Sequence, residues 1–215
     1  TDPIAACGYS EDEIRAVVDE ARARHTYVMA HSYTAEAIER AVRLGVRTIE
    51  HANLIDERVA QFMVEKGAYV VPTLVTYEAL ASEGAKYGLP PESVAKIETV
   101  RAAGLATLEI FKRVGLKMGF GSDLLGPSHR LQSDEFRIRT QVLSPFEVIQ
   151  SATLIGAEVL NMQGRLGRLT VGAIADVLVV DGDPYKDINC LLGQGDHIPL
   201  VMKAGEIYYD ELTGN

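Results

Sequence analysis

With 215 residues, 47% apolar and 24% charged, the chain is long enough to bury one substantial core, or a domain with a small appendage, without disulfide or metal staples. No apolar run approaches the roughly 18 residues of a membrane span, and Thr1-Asp2-Pro3-Ile4 has neither the basic start nor the apolar stretch of a secretory signal, so the cytoplasm is the expected compartment. A net charge of −9 with scattered basic residues disfavours nucleic acid as a partner.

Ser10 and Glu13 form a capping box ahead of a helix running to about Arg24, and the apolar stretch 26–30 reads as a buried strand that ends at His31. Thr34 can cap a second helix whose Ala37, Ile38, Ala41, Val42 and Leu44 share one face; Gly45 stops it, and 46–50 form a strand ending at His51. Asp56 can cap a third helix containing Val59, Ala60, Phe62, Met63 and Val64, Gly67 closes it, and 68–73 are the third strand, with Pro72 near its terminus. A longer connection follows, broken by Gly84, Gly88, Pro90 and Pro91, then a helix over 92–113 and a strand over 116–121, with Asp123 just beyond. Ser144, Pro145 and Glu147 open another helix to about Ser151, and a second lies near Ala157. After Gly164 the pattern turns to glycine-separated, β-rich segments, among them 175–181 and 200–203. Repeated βα units imply an α/β fold with a parallel sheet over 1–163, followed by a small β segment over 164–215.

His31, His51 and Asp123 each fall at the C-terminal end of an expected parallel strand, the edge of an α/β barrel where side chains from different strands converge on a substrate. Imidazoles and a carboxylate together suit a divalent metal such as zinc, which lowers the pKa of water towards roughly 7. Asp123 can serve both as a ligand and as the acceptor of the water's proton. Cys7 and Cys190 stand far apart in no CxxC arrangement, so they read as structural thiols.

The stretch His31-Ser32-Tyr33-Thr34, the run from Ala41 through Gly45 to Glu50-His51, and Gly119-Phe120-Gly121-Ser122-Asp123 together resemble the later half of the amidohydrolase barrel. The closing Gly172-Ala173-Ile174-Ala175-Asp176, continuing to Gly182-Asp183-Pro184, resembles the return of these enzymes to their small β-sandwich domain. The resemblance implies the C-terminal half of a metal-dependent hydrolase (β/α)8 TIM barrel, strands 5 to 8, plus part of that sandwich. Within the superfamily the chain is most similar to the prolidase-like and N-acyl amino acid carboxypeptidase branch, which cleaves dipeptides or N-acyl amino acids with a binuclear zinc centre. His31 and His51 are then the fifth- and sixth-strand metal ligands, and Asp123 the eighth-strand carboxylate and general base. Tyr33 would polarise the scissile carbonyl. His129 and Arg130, on the loop after Asp123, are candidate substrate contacts, the guanidinium for a carboxylate.

The family pattern also has an HxH pair on the first strand and a carboxylated lysine on the fourth, and neither is found in this sequence. The chain therefore reads as a fragment whose barrel edges would be open, which favours association, including into homo-oligomers. Two alternatives stand beside the peptidase reading: a cyclic amidohydrolase or deaminase of the imidazolonepropionase type, and a non-catalytic fragment that needs a partner.

Overall fold

The structure, a computed structural model, describes residues 3, 4 and 6–212. The chain packs as two compact units, 1–121 and 122–215. The change from helices to strands expected at 163/164 falls inside the second unit.

The first unit is built of βα repeats. Helix α1 (Glu11–Ala23) starts at the capping box: Ser10 Oγ accepts the Glu13 N–H at 3.3 Å, and Glu13 Oε2 accepts the Ser10 N–H at 2.8 Å. Strand β1 (Met29–Thr34) leads directly into α2 (Ala35–Arg43), which buries Ile38, Ala41 and Val42. Strand β2 (Thr48–Leu54) is followed by α3 (Glu57–Lys66), β3 (Tyr69–Val71), α4 (Leu74–Glu83) and the long α5 (Pro91–Val114). The three strands form a parallel sheet in the order β1-β2-β3, with Met29 opposite Thr48 and Thr48 opposite Tyr69. Its core contains Ile38, Ile49, Val59, Met63, Val70, Leu108 and Phe111, all sealed from solvent.

Helix α5 is tied to β2 by polar bonds as well as by apolar packing. Thr107 Oγ1 donates to the Asn53 carbonyl at 2.8 Å, and Asn53 Nδ2 donates to the Val100 carbonyl at 3.2 Å. Gly104 permits the close approach: a Cβ there would lie 2.7 Å from Leu74 Cδ2. The start of α4 is thereby packed close against α5.

Local chemistry explains the helix ends. Asp56 Oδ1 accepts the Val59 N–H at 2.8 Å, and Gly67 takes the left-handed conformation, φ 66, that closes α3. Asp56→Ala should therefore lower the unfolding free energy by about 1 kcal/mol, read as a fall in the urea midpoint at unchanged m-value.

Several elements differ from the sequence expectation. The first strand begins at Met29 and runs on to Thr34, so His31 lies within it and not past its end. Residues 24–26 still belong to the helix exit, with His25 at φ 55 and the Thr26 N–H bonded to the Ala21 carbonyl. His51 likewise lies inside β2. Thr34 makes no side-chain cap bond. The strand expected over 116–121 is reduced to one parallel bridge, Val70 to Met118, with the Gly119 N–H bonded to the Val70 carbonyl at 2.8 Å. Gly119 and Gly121 there offer no side chains to pack on a sheet. The connection expected after Thr73 opens with α4, which buries Leu74, Val75, Thr76, Tyr77 and Ala79.

The second unit contains α6 (Asp134–Arg139), α7 (Pro145–Ala152) and α8 (Leu154–Val159). Strands β4 (Val177–Val179), β5 (Leu200–Lys203) and β6 (Glu206–Asp210) form an antiparallel sheet in that order. Ser144 and Glu147 make the expected capping box, with Pro145 at the first helical position. Cys190 is buried, its thiol pushed up by burial, and it donates to the Asp187 carbonyl at 3.1 Å. Both cysteines are free. Among the described residues no helix is long and apolar enough to cross a membrane.

Candidate active site

Parallel pairing of β1 with β2 places Ser32 opposite His51 and His31 one position away. His31 Nδ1 and His51 Nε2 come to 2.7 Å, with the rings stacked at a centroid distance of 4.9 Å. The geometry at His51 is not that of an ordinary strand. His51 has φ 77 and Ala52 φ 55, and the β1/β2 register shifts between Ser32 and Thr34. A positive φ at a non-glycine residue is strained, and a local irregularity of this kind re-aims a side chain. Here it coincides with the imidazole that meets His31.

Three further side chains enclose the pair. The Tyr33 ring lies parallel to His51, 6° between planes and 5.1 Å between centroids. Tyr77, on α4, meets His51 edge-on at 5.9 Å, and its hydroxyl donates to the Tyr33 hydroxyl at 3.3 Å. Thr73 Oγ1 lies 2.8 Å from His51 Nδ1. His51, Thr73 and Tyr77 are buried, whereas His31 is exposed, so the cluster opens to solvent from one side. A cleft of about 840 Å³ takes in His31, Ser32, Tyr33 and Tyr77.

The donor set suits part of a metal site. Two imidazole nitrogens from adjacent strands converge on one point, and the second nitrogen of the buried ring is held by a hydrogen bond, the arrangement that orients a metal-ligating histidine. Among the described residues no group of three or more His, Cys, Asp or Glu gathers around a point.

Of the residues singled out in the sequence, His31, His51 and Tyr33 are brought together. Asp123, His129 and Arg130 belong to the second unit, where all three are exposed. Asp123 has φ 50, a left-handed conformation that aspartate tolerates better than most residues. His129 and Arg130 lie on a short 3-10 turn, Gly126–Leu131. Thr73 and Tyr77 were not anticipated. Thr73 ends an apolar run that reads as a strand, and Tyr77 follows it four residues later in the first turn of α4.

Parallel βα units with paired histidines on neighbouring strands go together with a sequence match to the amidohydrolase family over residues 1–208. The chain belongs to that family. A crystal structure of an amidohydrolase is 68% identical, with a TM-score of 0.97 over 99% of this chain and 51% of that one. A crystal structure of a prolidase complexed with N-methylphosphonate-L-proline is 58% identical, with a TM-score of 0.96 over 98% of this chain and 52% of that one. Ochratoxinase of Aspergillus niger is 28% identical over 202 residues, 93% of this chain and 42% of its own. The chain thus spans about half the length of these proteins and carries about half of the amidohydrolase barrel fold.

Proposed function

We propose that this chain supplies the later half of a zinc-dependent hydrolase that cleaves the amide bond of dipeptides or N-acyl amino acids. The observation that carries the proposal is the convergence of His31 Nδ1 and His51 Nε2 at 2.7 Å beneath the Tyr33 ring. The likeness to a prolidase complexed with a phosphonate analogue of a prolyl substrate supports the substrate class.

In this scheme His31 and His51 would hold the metal, and Asp123 is the carboxylate proposed as a further ligand; two zinc ions are expected in the whole protein. Bound zinc makes water acidic, bringing its pKa to about 7. Asp123 takes a proton from the attacking water as its oxygen bonds to the carbonyl carbon. Tyr33 donates its hydroxyl proton in a hydrogen bond to the carbonyl oxygen as negative charge develops there. The C–N bond then breaks, and Asp123 returns the proton to the departing amine. Arg130 pairs with the substrate carboxylate, and His129 contacts the substrate beside it.

The test is a substrate panel with the zinc-loaded whole protein: dipeptides ending in proline or a basic residue, N-acyl amino acids, cyclic imides and heteroaromatic amines. Release of a free amino acid from the first two groups is expected. Turnover confined to the imides or amines would replace the proposal with a cyclic amidohydrolase or deaminase.

A further inference from the structure

Thr73 stands at the N-cap position of α4, where a threonine hydroxyl ordinarily accepts a hydrogen bond from the backbone of the first helical turn. Here it makes no such bond. Its Oγ1 lies instead 2.8 Å from His51 Nδ1, in surroundings that leave Thr73 4% and His51 3% exposed. The helix forgoes its cap, and the hydroxyl that would have made it is engaged across the sheet. A local preference set aside in this way, next to a residue whose own backbone is strained at φ 77, is the pattern of a site whose geometry matters more than the stability of its surroundings.

A neutral imidazole carries one proton on one of its two nitrogens, and the partner of the protonated nitrogen decides which lone pair faces outward. Nε2 of His51 is the nitrogen directed at His31. We propose that Thr73 is a positioning residue: when Nε2 binds a metal, the Thr73 hydroxyl accepts the Nδ1–H and holds the ring with its lone pair on the ion. The proposal rests on His31 and His51 being metal ligands. A hydroxyl 2.8 Å from Nδ1 is the second-nitrogen partner that fixes the tautomer and ring orientation of a metal-ligating histidine. Leu74, the next residue, packs closely against Gly104 of α5, where an added Cβ would lie 2.7 Å from Leu74 Cδ2.

The experiment compares the native chain with Thr73→Val, which keeps the shape and removes the hydroxyl, and Thr73→Ser, which keeps the hydroxyl. Zinc affinity is measured by competition with a chromophoric chelator, and the His51 ring nitrogens are followed in long-range proton–nitrogen spectra of the metal-free chain. Thermal melts establish that each variant folds; if Thr73→Val does not melt cooperatively, Thr73→Ala takes its place with the same expected result. Thr73→Val should bind zinc about 10- to 100-fold more weakly, and Thr73→Ser within a few-fold of native. The Nδ1 resonance should move in Thr73→Val and stay in place in Thr73→Ser. Equal zinc affinity in native and Thr73→Val would overturn the role of Thr73 while leaving the two ligands standing. Zinc bound by none of the three would overturn the ligand assignment, and with it any role of Thr73 toward the ion.

Discussion

Zinc should raise the melting temperature of the native chain and leave that of the His31→Ala/His51→Ala double variant unchanged. A ligand that binds only the folded state stabilises it by mass action, about 2.7 kcal/mol at a free concentration one hundred times the dissociation constant. For a chain of this size that corresponds to about 5–10 °C. The two substitutions differ in their metal-free cost, which dictates the controls. His31 is exposed, so its removal opens no cavity, although it takes away the 2.7 Å partner of His51 Nε2; His51 is buried, and its loss opens a cavity beside Tyr33 and Tyr77 and strips Thr73 of a partner. Each variant is therefore compared with its own metal-free melt, so that only the zinc-dependent increment is read. His31→Ala alone, with the core intact, should already abolish most of that increment. An unchanged zinc shift in the double variant would place the metal elsewhere and remove the observation on which the proposed function depends.

How far the site was legible in the sequence follows from what each element owes to its neighbours. His31 and His51 could be found because short apolar runs between caps signal buried parallel strands, and a polar residue at the end of such a run stands out. Their meeting could be inferred from equivalent position, but the strained backbone at His51 could not, since a positive φ at histidine is imposed by tertiary packing and leaves no trace in composition. Helix α4 was missed for a physical reason. It buries residues on several faces, so it lacks the periodic polar stripe that marks a surface helix, and it has no side-chain cap bond at its start. Thr73 and Tyr77 were lost with it. The second unit shows the opposite limit. Its α7 capping box was plain, whereas α6, at six residues, is too short for a periodic signal and exists because of what it packs against.

That dependence makes α6 the site of the second large effect. Glu135 and Arg139, one turn apart, are both fully buried, with the Arg139 Nε donating to Glu135 Oε1 at 2.6 Å. Arg139 also donates to Ser151 Oγ on α7 at 3.3 Å, so the guanidinium links the two helices. Removing the charge of one partner leaves the other buried in a medium that solvates it poorly. Arg139→Met should accordingly cost about 3–5 kcal/mol, a large fraction of the stability of an ordinary domain. Replacing both groups removes the desolvation penalty together with the attraction. Glu135→Leu/Arg139→Met should therefore recover most of the loss, because a buried ion pair and an apolar pair of similar volume are often close in energy. Urea denaturation of the four chains, combined as a double-mutant cycle, measures this directly. A double variant no more stable than Arg139→Met would mean that the guanidinium acts through contacts other than its pairing with Glu135, its bond to Ser151 Oγ among them. A double variant near native stability would mean that the charges select the register in which α6 docks on α7, and contribute little to how tightly it is held.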